Sequence, residues 1–207
     1  MADEPIDVLM KVVGTGGPYA AESSTQFKTK PVMDLLRQGF TPGQFCELQL
    51  FGFSAGVASS LSQGQQEAKN LAPGARETVA RLGPGLAKPR ARRVEFVDMQ
   101  PVEYTRVVDS MSTLLFNAMA ACETLESISI VKRKAAGTAN SGDCFLRLDF
   151  SKVLLTELNW KDGGATMVET GSFIYRKLTM RYRPQRPDGS LDVAVQTEWE
   201  MKAVVAK

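Results

Sequence analysis

The chain has 207 residues, of which 43% are hydrophobic and 23% are charged, and this composition is typical of one soluble globular domain. The net charge of +2 indicates neither a nucleic acid nor an anionic membrane as a partner. The absence of histidine excludes histidine-dependent catalytic triads and imidazole metal sites. We expect a single domain over residues 1–207, with no catalytic group, no metal and no cofactor.

The chain also lacks the features of a membrane or signal segment. No apolar run approaches the roughly 20 residues that a membrane helix needs, and the start, Met1–Pro5, is acidic where a signal peptide would be basic. We expect a protein that folds in the cytoplasm without membrane insertion and that, if secreted, uses no N-terminal signal. Cys46, Cys122 and Cys144 are far apart and have apolar neighbours, which favours buried free thiols.

The first elements predicted in chain order are two strands. Ile6 to Val13 reads as a strand that ends in the glycine-rich turn Gly14–Pro18. Pro31 could begin a short helix through Leu36, with Gly39 as its stop. Phe45 to Phe53 is apolar on both parities near its end, as expected for a strand covered on both sides.

A long polar segment follows the second strand. From Ser54 to Arg93, serine, glycine, glutamine, alanine and proline dominate, and large apolar side chains are rare. Such a composition cannot build a core, and a connection of this length inside a compact domain is unusual. We predict a loop over about residues 54–93 that serves as a functional extension or orders on a partner.

A strand and the most strongly predicted helix come next. Val94 to Met99 reads as a third strand, and Pro101 to Asp109 leads away from it. Ser110 or Ser112 is predicted to cap a helix with a strongly apolar interior, which includes Phe116, Met119 and Cys122. This helix should pack on the sheet.

Two further strands are predicted before the end of the chain. Leu125 to Lys134 alternates, and Gly137 to Gly142 is a polar turn. Cys144 to Trp160 is a long strand whose even positions are mainly apolar. Near Lys152–Leu155 the parity becomes ambiguous, which predicts a bulge or a strand that passes between two sheets.

The last predicted element is a β-hairpin over Ser172–Met201, preceded by a turn at Lys161–Gly164. Its second strand, from Leu191 to Met201, alternates apolar and polar residues, so one face should be buried and the other exposed to solvent. The turn, Arg183–Ser190, contains two prolines and an Asp-Gly pair. The elements together predict a mainly β fold, a β-barrel or two packed antiparallel sheets, with one flanking α-helix.

The order of these segments resembles the haemolysin-coregulated protein (Hcp) family, the inner-tube proteins of bacterial type VI secretion systems. The segments that carry the resemblance are Val8–Val12, Leu48–Ser54, the helix Ser112–Cys122 led by Asp109, Ser127–Lys134, Phe145–Leu155, Leu178–Gly189 and the strand through Trp199. The resemblance implies an Hcp-like barrel in hexameric rings that stack into a hollow tube. It further implies sheath and spike proteins as partners, effector proteins in the lumen, and secretion by sheath contraction. No catalytic group is needed.

The long polar loop is the candidate for contact with the next subunit or ring, because it is longer than the family's usual extended loop. The candidate ring-stacking residues in it are Gly56, Gln63, Gln65, Arg76, Arg81, Lys88 and Arg90.

Three alternatives are kept. A phage-like tail tube would share the architecture. A single-stranded nucleic-acid-binding barrel would use the aromatic residues Phe173 and Tyr175. The basic residues of such a site would be Arg176, Lys177, Arg181, Arg183 and Arg186. An enzyme would start from the carboxylate pairs Glu198 with Glu200 or Asp143 with Asp149, which are more often solvated surface pairs.

Overall fold

The structure is a computed structural model that describes residues 6–23, 36, 38–60, 96–134, 144–187 and 191–201. The described residues divide into two compact units, one within residues 1–55 and 101–207 and the other within residues 56–100. The elements are β1 (Ile6–Gly14), β2 (Gly17–Pro18), β3 (Cys46–Ser54), β4 (Val57–Ser60), β5 (Phe96–Met99), β6 (Val102–Val107), α1 (Ser110–Ala120), β7 (Leu125–Lys134), β8 (Cys144–Asp162), β9 (Met167–Tyr182) and β10 (Val195–Glu200).

The larger unit is a closed antiparallel barrel. Its strands pair in the order β10-β9-β6-β3-β1-β7-β8, and β9 also pairs with β8, which closes the sheet on itself. β10 lies outside this closed circuit and pairs with the second half of β9. The predicted fold class, a mainly β barrel with one flanking helix, is confirmed. Within the described residues, no helix has both the length and the apolar composition to span a bilayer.

The barrel core is built from apolar side chains on the inner face of each strand. Phe150 makes edge-on ring contacts with Phe173 and Tyr175, at centroid distances of 5.2 and 4.8 Å. Gly171 lies against the ring of Tyr104, because a Cβ atom at this position would come within 2.5 Å of that ring. A glycine therefore allows the aromatic ring to approach the strand backbone closely.

β8 changes its buried parity in the middle, as the sequence predicted. Phe150 is buried on the even side, whereas Val153 and Leu155 are buried on the odd side. Lys152 has a positive φ of 53°, and the register to β9 shifts between Leu155 and Glu157. The irregularity lets one strand contribute to the barrel wall along two directions.

α1 begins at a cap that the sequence analysis assigned to the wrong residue. The cap is Asp109, whose side chain accepts from the Met111 N–H at 2.9 Å, rather than Ser110 or Ser112. Ser112 instead accepts from the Asp109 N–H and completes a capping box. Asp109 carries the negative charge that a helix N-terminus favours.

The C-terminus of α1 places a cysteine where glycine is usually found. Cys122 has a φ of 51°; its N–H donates to the Met119 carbonyl, and the Glu123 N–H donates to that of Ala118. This is the Schellman arrangement, in which the residue after the cap takes a left-handed conformation. Cys122 is exposed, so the expectation of a buried thiol is wrong here but confirmed for Cys46 and Cys144.

Replacing Cys122 by glycine should raise the free energy of unfolding by about 1 kcal/mol, because glycine carries no Cβ penalty in the left-handed region. Denaturant unfolding of Cys122→Gly measures the gain. Cys122→Ala is the matched control, since it removes the thiol and keeps the Cβ. An equal gain in both variants would show that the thiol, not the backbone conformation, costs stability.

Three strands were not predicted. β2 (Gly17–Pro18) forms in the predicted glycine-rich turn and pairs with β1. β6 (Val102–Val107) forms in the segment expected to lead away from the third strand, and pairs with β3 and β9. β4 (Val57–Ser60) forms inside the predicted polar loop and pairs with β5. The predicted short helix and the turn Gly137–Gly142 lie outside the described residues, apart from Leu36 and Gly39, which has a φ of 84°.

Candidate functional site

The predicted ring-stacking loop is described only at its start. Gly56 precedes β4, and its carbonyl accepts from the Gln100 N–H at 2.9 Å. The other candidates lie outside the described residues: Gln63, Gln65, Arg76, Arg81, Lys88 and Arg90. The role of this loop therefore stays a prediction.

The carboxylates of the enzyme alternative are held in ion pairs. Glu198 lies 2.7 Å from Lys177, whose hydrogen bond lowers the pKa of Glu198 below its usual value. Glu200 lies 3.4 Å from Arg176. A general acid would need a raised carboxyl pKa. Asp143 lies outside the described residues.

Asp149 is the most strongly paired of the three described carboxylates. It lies 2.8 Å from Arg147 and 2.6 Å from Arg181. Among the described residues, no group of three or more cysteine, aspartate and glutamate side chains could hold a metal ion.

The aromatic residues of the nucleic-acid alternative face the core. Phe173 has no exposed surface and Tyr175 is 3% exposed, so neither can stack on a base. The basic residues Lys177 and Arg181 form ion pairs with Glu198 and Asp149. This part of the barrel therefore lacks the stacking platform that the hypothesis requires.

In the second half of β9 and in β10, the side opposite Lys177 and Arg181 carries an apolar surface, which we call the strand face. Directly opposed residues of antiparallel strands share a face, and the register opposes Leu178 to Trp199 and Tyr182 to Val195. With Met180, two positions from Leu178 and Tyr182, these residues form one continuous surface. The strand face consists of Leu178, Met180, Tyr182, Val195 and Trp199.

The strand face is uncovered, although the sequence predicted that one face of this hairpin would be buried. Every side chain of β10 is exposed, with Val195 at 64% and Trp199 at 50%. The prediction of a buried face is wrong for the single chain. The physical reason is that β10 lies beyond the closed barrel, where no described element packs on it.

A buried ionic cluster fixes α1 against the barrel on another side. Arg106 of β6 is fully buried and lies 2.6 Å from Glu169 of β9 and 2.7 Å from Asp109. It also donates to the Ser112 hydroxyl at 2.7 Å. Trp160 of β8 donates to the second oxygen of Glu169 at 3.0 Å. Three strands and the helix N-terminus are thereby joined by charge-assisted hydrogen bonds.

The sequence analysis missed this cluster, although one signal was present. Val102, Tyr104 and Arg106 share the inward parity of β6. Burial together with the charge of Glu169 raises the pKa of Tyr104, and burial raises the pKa of the Cys46 thiol to about 11. Tyr104 and Cys46 therefore stay uncharged near neutral pH, so the charged partners of Arg106 are Glu169 and Asp109.

A second exposed apolar surface, which we call the helix patch, lies where α1 meets the β8–β9 hairpin. It consists of Phe116, Trp160 and Met167, each 45–50% exposed. The rings of Phe116 and Trp160 lie 5.6 Å apart. Met167 is two positions from Glu169, which opposes Trp160, and so lies on the same side of the hairpin. Phe116 was predicted as part of the helix interior, but it faces outward.

Comparisons with known proteins agree with this architecture. Residues 80–182 match the family described as type VI secretion system effector, Hcp. No curated protein matches this chain in sequence.

Several solved structures share the fold. One is described as a type six secretion system protein, with a TM-score of 0.64, 16% identity, and coverage of 95% of this chain and 96% of that one. An Hcp1 mutant from E. coli EAEC 042 has a TM-score of 0.58 and 13% identity, and the match covers 95% of this chain and 99% of that one. Hcp1 from Salmonella typhimurium has a TM-score of 0.55 and 16% identity, and the match covers 94% of each chain. The chain belongs to the Hcp family of type VI secretion system proteins.

Proposed function

We propose that this chain is the tube subunit of a type VI secretion system. Its copies form hexameric rings, and the rings stack into a hollow tube that assembles in the cytoplasm. A contracting sheath expels the tube, which then lies outside the producing cell. The sheath and spike proteins are the partners of the tube, and effector proteins are carried in its lumen.

The uncovered strand face is the observation that carries this proposal. An exposed and continuous apolar sheet face usually marks a protein–protein contact. The same strands carry ion-paired polar side chains on their other face, such as Lys177 with Glu198 and Arg181 with Asp149. The strand face is therefore suited to contact a neighbouring subunit, and the polar face to contact water in the lumen or outside.

We further propose that the segment over residues 54–93 connects one ring to the next. It contains the seven candidate residues, and from Gly56 onward it belongs to the second compact unit. Ring-to-ring contact of this kind is head to tail, so it can continue without closing.

Light scattering on the purified chain tests the ring. The expected mass is six times the 22.6 kDa monomer mass, and electron micrographs should show rings with a central hole. Trp199→Glu places a charge in the strand face and should yield monomers. Gln196→Glu adds the same charge to the polar face of the same strand and should leave the rings intact. A folded wild-type chain that stays monomeric at high concentration would contradict the proposal.

A further inference from the structure

We infer that the strand face of one copy binds the helix patch of the next copy around the ring. This inference rests on the proposed ring. It names the counter-surface, which neither the family match nor the fold provides. The contact would bring Trp199 and Tyr182 of one copy against Phe116 and Trp160 of the neighbouring copy.

Ring symmetry requires two different surfaces on each subunit. A contact that repeats by rotation around a closed ring is heterologous, so the surface that a subunit offers differs from the surface that it receives. The described part of the barrel unit offers two such surfaces on different elements, the strand face on β9–β10 and the helix patch at α1. If two strand faces paired with each other instead, the contact would be isologous and would end at a dimer.

The two surfaces have compatible chemistry. Each presents aromatic side chains that are about half exposed: Tyr182 and Trp199 in the strand face, and Phe116 and Trp160 in the helix patch. Aromatic side chains dominate the buried centres of protein interfaces. Both surfaces are thus rich in the side chains that gain most from burial against a partner.

Charges at the two surfaces are complementary as well. Lys152 and Arg176 are exposed near the strand face: Lys152 follows Ser151, which opposes Lys177, and Arg176 lies two positions before Leu178 and pairs with Glu200. In the helix patch, the exposed Asp162 directly opposes Met167. An excess of positive charge in one surface and a carboxylate in the other favour binding in one orientation.

The helix patch is held in position before any contact forms. Glu169 accepts from the Trp160 indole N–H at 3.0 Å, and Arg106 joins Glu169 to the Asp109 cap of α1. Phe116 is not a member of that cluster, and its ring packs on Trp160. A fixed aromatic pair loses little conformational entropy on binding, which suits it to receive a partner.

A mixing experiment tests the inference. Phe116→Glu and Trp199→Glu are each expected to abolish rings. The control Asn117→Glu adds the same charge at the next exposed helix position and should leave rings intact. Each defective variant keeps one good surface. An equimolar mixture of Trp199→Glu and Phe116→Glu should therefore form a one-to-one dimer and grow no further. Sedimentation, above the concentration at which wild type assembles, measures the species, and circular dichroism confirms that each variant is folded.

The outcomes separate the inference from the proposed function. Rings that persist in Phe116→Glu would overturn the helix patch as the receiving surface and leave the ring itself standing. Dimers of Phe116→Glu alone would show that strand faces pair with each other. A mixture that stays monomeric would show that the two surfaces do not bind. A monomeric wild type would overturn the ring and the inference together.

Discussion

Replacing Arg106 by methionine is expected to lower the free energy of unfolding by about 3–5 kcal/mol. Methionine has a similar shape and no charge. The change leaves the buried Glu169 without its cation, and leaves Asp109 without the ion pair that joins the helix cap to β6. A buried carboxylate without a counter-charge pays its full desolvation penalty.

Urea unfolding of Arg106→Met measures this loss. Arg186→Met is the matched control, because Arg186 also pairs with an aspartate at 2.8 Å but both side chains are exposed, so its loss should be small. Adding Glu169→Gln to Arg106→Met removes the orphaned charge and should recover part of the stability. If the double variant were as unstable as the sum of the two single variants, Arg106 and Glu169 would act independently and the ionic account would be wrong.

The elements that the sequence predicted best are those whose pattern is local. β7 has the predicted bounds, Leu125–Lys134, and its signal is local, because Ile128 and Ile130 alternate with Ser127 and Ser129. The apolar helix was predicted to begin after a cap at Ser110 or Ser112, and it begins at Ser110 with Asp109 as its cap. β6 was missed because Arg106 occupies an inward position, where a charged residue interrupts the pattern. Its counter-charge, Glu169, comes from a distant strand that a local reading cannot supply.

The candidate site shows a different limit of the sequence. Alternation in Leu191–Met201 correctly predicted an apolar and a polar face, yet the apolar face is exposed. A repeating pattern reports which side chains need cover, but it does not report whether the cover comes from the same chain or from another copy. Phe116 illustrates the same point on the helix. Its neighbours Leu115 and Ala118 are buried, while it lies half exposed beside Trp160.

Removing residues 56–100 is expected to leave a folded barrel that still forms rings but no longer stacks them into tubes. The strand face, the helix patch and the Arg106 cluster all lie in the other unit. β3 and β6 are already antiparallel neighbours, with Phe53 opposite Tyr104 and Ser54 opposite Glu103, so the two ends of the cut meet. An Asn-Gly linker between Ala55 and Pro101 would close them as an ordinary hairpin. The shorter connection also costs less loop-closure entropy.

Thermal unfolding, light scattering and electron micrographs of this deletion measure folding, ring formation and stacking separately, under conditions in which full-length rings stack. A variant that keeps the length of the segment but replaces it with glycine and serine is the control for spacing. It should also form single rings, because we assign stacking to side chains such as Arg76 and Arg90 and not to the reach of the chain. If the deletion variant failed to fold, the segment would be part of the core. If tubes of normal length persisted, the contact between rings would belong to the barrel, and the extension would need another role.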